Sequence, residues 1–300
     1  MNYHEPVMLN ECIEGLDIQS NGIYVDVTFG GGGHSRAILK HLDKGKLYAF
    51  DQDQDAVSNA AEIQDQSFEF IQANFRNLKR YLKLNGVHQV DGILADLGVS
   101  SHQFDVAERG FSTRFEAQLD MRMDQDAELT ARDVLNTYSE KELHKLFGLY
   151  GEVRNARNLA SAIITHRANQ SLETVNDLKE ILDKLAPRSR EFKYYAQVFQ
   201  AIRIEVNDEM GALEALLEQT SSLVRPGGKL VVLSYHSLED RLVKNFIAKG
   251  KFYGEVEKDF YGNPIKPFQA INRKPILAGK DELNRNNRAR SAKLRIAEKT

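Results

Sequence analysis

Short apolar segments separated by helical patterns fill residues 23–96, and this alternation constrains the fold more than any other feature of the sequence. Parallel strands cannot be joined by a tight turn, so each one needs a crossover helix before the next. The predicted strands span residues 23–27, 46–51, 68–72 and 90–96, and the helices between them span 35–42, 55–63 and 77–84. The sequence therefore predicts an α/β fold whose parallel sheet binds its ligand beyond the carboxyl ends of the strands.

The alternation stops after the fourth strand. From about residue 104 to residue 207 the chain keeps helical periodicity and shows no strand pattern. A fifth strand is predicted at 229–233, after the turn signal Pro226-Gly227-Gly228. We therefore predict a sheet-containing domain of residues 1–104 and 207–300, interrupted by an all-helical insertion domain of residues 105–206.

Local signals place four helices within and after the insertion. Ser139 and Thr174 have the residue pattern of helix N-caps, so a helix is predicted to start after each of them. The amphipathic pattern of residues 207–223 predicts a long helix, and another is predicted to start at Ser237.

Composition excludes several classes of protein. The net charge of −3 argues against non-specific coating of nucleic acid, although a local basic patch can still bind RNA. No apolar run reaches the about 18 residues of a membrane helix, and residues 1–6 do not have the pattern of a secretory signal. The single cysteine, Cys12, excludes an internal disulfide and is interpreted as a core residue. We expect a cytoplasmic protein that binds no membrane.

A glycine loop joins the first strand to the first helix. It reads Asp26-Val27-Thr28-Phe29-Gly30-Gly31-Gly32-Gly33-His34-Ser35, and its glycines let the backbone approach a ligand at a helix N-terminus. Ser35 stands where a dinucleotide fingerprint has its third glycine, and no Gly-Lys-Ser/Thr follows, which excludes a P-loop. Asp26, at the strand end, could hold a cationic amino-acid group. Together these details favour a methionine-derived cofactor.

Three further residues follow strand ends. Asp51 closes the second strand, where a carboxylate can accept both ribose hydroxyls of an adenosine, in a nicotinamide dinucleotide as well as in other cofactors. Phe75 either packs on an adenine face or is an ordinary core aromatic. Asp96 ends the fourth strand, either at the lip of the ligand crevice or as a structural N-cap.

Longer strings resemble the ribosomal RNA cytosine-N4 methyltransferases called RsmH or MraW. One is Asp-Leu-Gly-Val-Ser-Ser-His-Gln at 96–103, and the others lie at 109–112, 119–124, 199–204 and 234–241, with 4–8 and 287–295 near the two ends. The resemblance covers essentially the whole chain. It implies a class I, Rossmann-like methyltransferase sheet, interrupted by a helical domain that recognises RNA.

The resemblance also implies the chemistry. The cofactor would be S-adenosyl-L-methionine, and the substrate would be a cytidine in the decoding region of small-subunit (16S) ribosomal RNA, methylated at N4. The cofactor contacts that it implies are Gly32, Gly33, His34, Asp51, Phe75, Asp96 and Gln103. Two departures are visible: Tyr235 stands where the family often has Phe, and residues 194–198 lack the Thr/Arg-rich segment of many members.

Methylation of an amino group makes a definite demand on the site. The lone pair of the cytosine amine is delocalised, so the site must hold the nitrogen in line with the methyl group and accept a hydrogen bond from it. Asp96 is the predicted catalytic residue on this ground. The aromatic that stacks the target base is left open among Phe104, Phe111 and Tyr235. We expect no metal, because no two of the eight histidines stand three or four residues apart.

Contacts with RNA are predicted at three places. Arg109 and Arg122 would bind substrate phosphates, with salt bridges to nearby carboxylates as the alternative. A second place is a local patch of basic and aromatic residues, Arg188, Arg190, Lys193, Tyr194 and Tyr195. The Lys/Arg-rich segment 284–299 is either a solvated terminal segment or a phosphate-binding edge. The oligomeric state is left open, with a homodimer as one option.

Two rival functions remain at this point. A nicotinamide-dependent dehydrogenase shares the glycine loop and Asp51, but Ser35 and the missing second nucleotide-binding half argue against it. The other rival is a non-catalytic RNA-binding or assembly factor that keeps the fold.

Overall fold

The structure is a computed structural model that describes residues 5–99, 103–104 and 106–300. It contains two compact units: Met1–Gly98 with Met210–Thr300, called the sheet unit here, and Val99–Glu209, called the helical unit. His4 and residues 100–102 of the family strings, and Asp105 at the predicted domain boundary, lie outside the described residues.

The sheet unit contains a seven-stranded sheet. Its strands are β1 (Ile23–Asp26), β2 (Lys46–Asp51), β3 (Phe68–Gln72), β4 (Val90–Asp96), β5 (Val224–Ser234), β6 (Phe268–Ala270) and β7 (Lys293–Lys299). Their order is β3-β2-β1-β4-β5-β7-β6. Strands β1 to β5 pair in parallel, whereas β7 runs antiparallel to both of its neighbours. The predicted α/β fold is confirmed, and β1 to β5 form the parallel part of the sheet.

Twelve α-helices are described in the two units. They are α1 (Leu9–Leu16), α2 (Gly33–Leu39), α3 (Gln54–Ala61), α4 (Leu78–Leu84), α5 (Ala131–Thr137), α6 (Glu140–Leu149), α7 (Ala156–Arg167), α8 (Val175–Leu185), α9 (Glu191–Val206), α10 (Glu209–Leu223), α11 (Ser237–Lys249) and α12 (Lys280–Arg285). Short 3-10 helices span Phe75–Asn77, Ala107–Arg109 and Asn287–Ser291. Among the described residues, no helix is long and apolar enough to cross a membrane.

Both faces of the sheet are covered. Val25 and Phe50 belong to one core cluster, which includes leucines of α4 and α10, whereas Tyr24 and Leu47 belong to another, which includes residues of α1 and α2. Successive strand residues point to opposite faces, so a strand buried on both faces must be apolar almost throughout. This requirement explains why the parallel strands could be predicted as continuous apolar runs.

The helical unit has its own core and its own helix caps. The hydroxyls of Thr130, Ser139 and Thr174 accept hydrogen bonds from the third residues of α5, α6 and α8, whose carboxylates bond back to the cap residues. The predicted N-caps at Ser139 and Thr174 are therefore confirmed. The leucines and isoleucines on the inner faces of these helices form one buried cluster, so this unit buries an apolar core of its own.

The structure excludes one of the two alternatives for the Lys/Arg-rich segment 284–299. It is not a solvated tail, because Lys293–Lys299 forms β7, and Leu294 and Ala297 are fully buried there. The basic residues hid this strand from sequence analysis. Arg295 is only 7% exposed, and its Nε donates to Asp240 Oδ1 on α11 at 2.7 Å. An ion pair of this kind lets a charged residue occupy a buried strand position.

The Asp240–Arg295 pair gives a stability prediction. Replacing Asp240 with Ala leaves the Arg295 guanidinium buried without its carboxylate, which we expect to lower the free energy of unfolding by about 3 kcal/mol. Urea denaturation followed by circular dichroism measures this. The matched control is Lys293→Met, because the side chain of Lys293 is 36% exposed and its Nζ lies 3.7 Å from the same carboxylate. We expect the control to cost less than about 1 kcal/mol, and equal losses would contradict the prediction.

Candidate active site

Three carboxylates end three neighbouring strands of the sheet. Asp51, Asp26 and Asp96 are the last residues of β2, β1 and β4, which lie side by side in that order. Burial is the largest cause of a raised pKa at each of the three. A nearby positive charge stabilises the ionised form of a buried carboxylate. This edge of the sheet is therefore suited to a cationic ligand, and clustered pKa shifts of this kind are typical of functional sites.

The glycine loop is fastened to the end of β2. The backbone N–H of Gly30 donates to Asp51 Oδ2 at 2.8 Å, and the side chain of Asn59 donates to the Gly30 carbonyl at 2.9 Å. Gly32 has φ +75°, and a Cβ there would lie 2.7 Å from the Phe29 ring. A Cβ on Gly33 would lie 2.2 Å from Pro6 Cγ. Packing within the protein thus already requires glycine at both positions.

The buried Asp26 carboxylate forms hydrogen bonds with the glycine loop. It is 1% exposed, and its two oxygens accept hydrogen bonds from Ser35 Oγ at 2.7 Å and from the Thr28 N–H at 3.1 Å. Sequence analysis expected Asp26 to hold a cationic group. The structure instead gives both oxygens to the loop, so that this carboxylate can act on a ligand through its charge. The same contact explains Ser35, whose hydroxyl a glycine could not supply.

Asp51 keeps acceptor capacity at the surface of the site. Its Oδ1 accepts from the Asp53 N–H at 2.9 Å, and each oxygen therefore has one main-chain donor. Burial raises its pKa to about 6, against the lowering effect of these hydrogen bonds. Since a carboxylate oxygen can accept more than one hydrogen bond, Asp51 can still bind hydroxyl groups.

Asp96 is the centre of a second group of side chains. The Tyr235 hydroxyl donates to Asp96 Oδ1 at 2.6 Å, and the Asp96 N–H donates to Thr28 Oγ1 at 2.7 Å. His34 Nδ1 lies 3.7 Å from Asp96 Oδ2, and His34 Nε2 lies 3.1 Å from the Val7 carbonyl, to which it would donate. The side chain of Asp96 is 22% exposed and that of His34 only 6%. Asp96 is thus the member of this group that a ligand can reach.

Tyr235 is fixed from three sides. Its N–H donates to Glu239 Oε2 at 2.8 Å, within the capping box that begins α11. Its ring lies so close to Gly98 that a Cβ there would be 3.3 Å from Cδ2. Burial, and next the charge of Asp96, raise the pKa of Tyr235 well above its ordinary value. The hydroxyl therefore keeps its proton and serves as a hydrogen-bond donor to Asp96.

The sequence named Tyr235 only as a candidate for base stacking, and its hydrogen bond to Asp96 was missed. The one signal available was its place directly after the fifth strand, at the same sheet edge as Asp96. In the described part of the chain, the donor to the Asp96 carboxylate is this hydroxyl. This contact favours the crevice alternative for Asp96 over the N-cap alternative.

The remaining predicted site residues lie in both units. In the sheet unit, Phe75 begins a 3-10 helix and packs, partly buried, against the core. In the helical unit, Gln103 is buried, and so is Arg109, which donates to the Arg122 and Met123 carbonyls at 2.9 and 3.2 Å. Arg122 forms a two-pronged ion pair with Asp120 at 2.7 to 3.2 Å. These contacts favour the salt-bridge alternative for Arg122, and phosphate binding by either arginine stays a prediction.

Two aromatic residues predicted to contact RNA are buried: Phe111, a candidate for base stacking, and Tyr194, a member of the basic and aromatic patch. Phe111 is 4% exposed in the core of the helical unit, and its ring lies 5.8 Å from the Arg109 guanidinium carbon. Tyr194 is also 4% exposed. Phe192, two residues before Tyr194 in the chain, is 87% exposed and was not predicted as an RNA contact. A lone apolar residue among charged ones is common on protein surfaces, so the sequence carried no signal for it.

Comparisons with known proteins show the family of this chain. The profile of the MraW methylase family matches residues 1–300. Two relatives are both named ribosomal RNA small subunit methyltransferase H. The protein from Cytophaga hutchinsonii is 60% identical over 99% of each chain, and that from Flavobacterium johnsoniae is 56% identical over 100% of this chain and 98% of its own.

The chain belongs to the MraW methylase family. Membership in a methylase family argues against the dehydrogenase alternative. An rRNA methylase structure from Streptococcus thermophilus is 14% identical to this chain with a TM-score of 0.38, and the match covers 97% of this chain and 93% of the other.

The raised pKa of Asp51 gives a prediction about the cofactor-free protein. The pKa of Asp51 is about 6 in the folded protein, against 3.8 for an exposed aspartate, so the folded protein binds this proton more tightly than the unfolded chain does. The contribution of Asp51 to stability is therefore fully present below about pH 4 and is lost as the pH rises through about 6. Asp51→Asn should remove this loss, which amounts to at most about 3 kcal/mol at neutral pH.

Urea denaturation between about pH 4 and pH 8 tests this prediction. Asp43→Asn, at an exposed carboxylate, is the matched control. Parallel pH profiles for wild type and Asp51→Asn would contradict it.

Proposed function

We propose that this protein transfers a methyl group from S-adenosylmethionine to the N4 amine of a cytidine in small-subunit ribosomal RNA. The observation that carries the proposal is the row of Asp51, Asp26 and Asp96 at one sheet edge, each with a pKa raised chiefly by burial. We infer the substrate from the names of the two relatives, and the N4 position from the family resemblance.

The row fits the charges of the cofactor. S-adenosylmethionine supplies a methyl group on a positively charged sulfur, and its methionine part carries a positive amino group and a negative carboxylate. Asp51 has free acceptor positions for ribose hydroxyls, while Asp26 contributes negative charge from behind the glycine loop. Gly32 precedes α2, and its N–H donates to the Phe29 carbonyl at 2.7 Å, whereas Gly33 and His34 begin the first turn, whose N–H groups the helix itself leaves for a ligand.

Asp96 is suited to accept the proton of the target amine. Its Oδ1 is occupied by the Tyr235 hydroxyl, which orients the carboxylate and leaves Oδ2 as the acceptor. Burial is the main reason that the pKa of Asp96 is raised, which makes the carboxylate a stronger proton acceptor than an exposed one. As the new nitrogen–carbon bond forms and the carbon–sulfur bond breaks, the N4 proton passes to Asp96.

The helical unit supplies the proposed recognition of RNA. Phe192 is 87% exposed at the start of α9, and the neighbouring Arg188, Arg190 and Lys193 are exposed as well. In the described part of the chain, these three cations make no ion pair with a carboxylate. An exposed aromatic ring among free cations is the usual surface for an unstacked base and its phosphates.

Methyl transfer from labelled S-adenosylmethionine to small ribosomal subunits tests the proposal. The subunits come from cells that lack this protein, and nucleoside mass spectrometry identifies the product. We expect labelled N4-methylcytidine, with or without a 2′-O-methyl group. Cofactor binding without any labelled nucleoside would instead favour the non-catalytic assembly factor.

Replacing the Asp96–Tyr235 pair tests the proposed roles. Asp96→Asn removes the proton acceptor, and we expect kcat to fall roughly 100-fold or more. Tyr235→Phe removes only the hydrogen bond that orients Asp96, so kcat should fall less, roughly tenfold. It should also shift the acidic limb of the pH–rate profile upward, because that hydrogen bond lowers the pKa of Asp96.

Steady-state rates on small subunits between about pH 5 and pH 9 measure both effects. Wild-type kcat in Asp96→Asn would rule out the proton-acceptor role, and an unshifted profile in Tyr235→Phe would rule out the positioning role.

A further inference from the structure

The segment 271–293 is strongly basic in an acidic protein. It holds seven Lys and Arg residues against two Asp and Glu residues, whereas the whole chain has a net charge of −3. The methyl-transfer chemistry described above uses none of these cations. Their position and their partners therefore decide whether they form a solvated surface or a binding site.

The sheet register places this segment beside Asp96. Asp96 pairs with Leu233, Leu233 pairs with Leu294, and Leu294 forms a bridge with Ile276. These four residues form one row across β4, β5, β7 and the edge of the sheet. Neighbouring strands lie about 4.8 Å apart, so Ile276 is roughly 14 Å from Asp96 along the row. The basic segment thus reaches the carboxyl edge of the sheet, where the proposed reaction takes place.

The segment is held firmly against the sheet. The Ile276 and Leu294 backbones exchange two hydrogen bonds of 2.9 Å, and the Asn272 side chain accepts from the Ile296 N–H at 2.7 Å. Further along, the buried Glu282 accepts from the Met8 N–H at 2.7 Å. A backbone fixed in this way presents its cations at defined positions, which lowers the entropy cost of binding.

Four cations of the segment are exposed and have no acidic partner among the described residues. They are Arg273, Lys274, Lys280 and Arg290, called the basic rim here. Other cations nearby are paired: Arg285 with Glu5 at 2.8 Å and Lys293 with Asp240 at 3.7 Å. No ion pair is found for the four rim residues in the ranges that the structure describes. Their positive charge is therefore available to an anionic partner.

We propose that the basic rim binds the phosphate backbone of the RNA strand that carries the target cytidine. This inference rests on the proposed function. A nucleotide whose base reaches Asp96 is part of an RNA strand that carries one negative charge per phosphate. The phosphates of the adjacent nucleotides must therefore lie close to the site. The rim belongs to the segment that contains Ile276, which lies on the same row as Asp96, and its cations have no acidic partner among the described residues. Contacts to phosphates position the strand without reading its sequence.

The test is a variant in which all four rim residues become Gln: Arg273→Gln, Lys274→Gln, Lys280→Gln and Arg290→Gln. Binding to small ribosomal subunits that lack the modification is measured at several salt concentrations. Each lost phosphate contact lowers the salt dependence of log Kd by about 1. We expect the slope to fall by about 2 to 4, and affinity near physiological salt to fall roughly tenfold or more.

The matched control is Arg80→Gln with Lys83→Gln. Both residues are exposed on α4 of the same unit, and neither forms an ion pair among the described residues. The control removes positive charge away from the row that contains Asp96, so its slope and affinity should stay near those of wild type. S-adenosylhomocysteine affinity and melting temperature, measured for both variants, show whether the sheet unit remains intact.

The outcomes separate this inference from the proposed function. If the rim variant has the same salt slope as wild type, the proposed phosphate binding by the rim is wrong, whatever the methyltransferase activity. An equal loss in the control shows an effect of net charge and also overturns it. Weaker binding to subunits with unchanged binding to protein-free small-subunit RNA would make a subunit protein the partner. If wild-type protein yields no N4-methylcytidine, the proposed function fails, while the binding measurement still decides on the rim.

Discussion

The structure of the site depends on the burial of carboxylates at the ends of three adjacent parallel strands. Parallel pairing brings Asp51, Asp26 and Asp96 to one edge, where water is partly excluded. The surrounding loops are arranged around these groups: Gly30 donates to Asp51, Ser35 to Asp26 and Tyr235 to Asp96. Each of these hydrogen bonds stabilises an ionised carboxylate, yet burial still raises all three pKa values.

The buried carboxylates destabilise the cofactor-free protein. Negative charges that are only partly compensated by hydrogen bonds raise the free energy of the folded state at neutral pH. The positively charged sulfur and amino group of the cofactor offset this cost when it binds, and the offset appears as affinity. Binding sites of this kind exchange stability for function, which is consistent with a pKa shifted as far as that of Asp51.

Much of the sheet could be predicted because burial on both faces demands apolar sequence. The predicted strands at 68–72 and 90–96 match β3 and β4 residue for residue. The strand β7 was missed, since its buried Arg295 depends on a partner 55 residues away in the sequence. Tyr235 was missed as a partner of Asp96 for the same reason: they are 139 residues apart, and the sequence does not reveal contacts between distant elements. The glycine loop and the carboxylates at the strand ends, by contrast, could be predicted because each is recognised from a short stretch of sequence.

The central claim is that the carboxylate row binds a cationic cofactor through its ionised form. Titration calorimetry with S-adenosylmethionine, in two buffers of different ionisation enthalpy, tests it by counting protons released on binding. Because the pKa of Asp51 is about 6, binding near that pH should release about half a proton or more, and binding above about pH 8 should release almost none. Binding without proton release anywhere between about pH 5 and pH 8 would contradict the account.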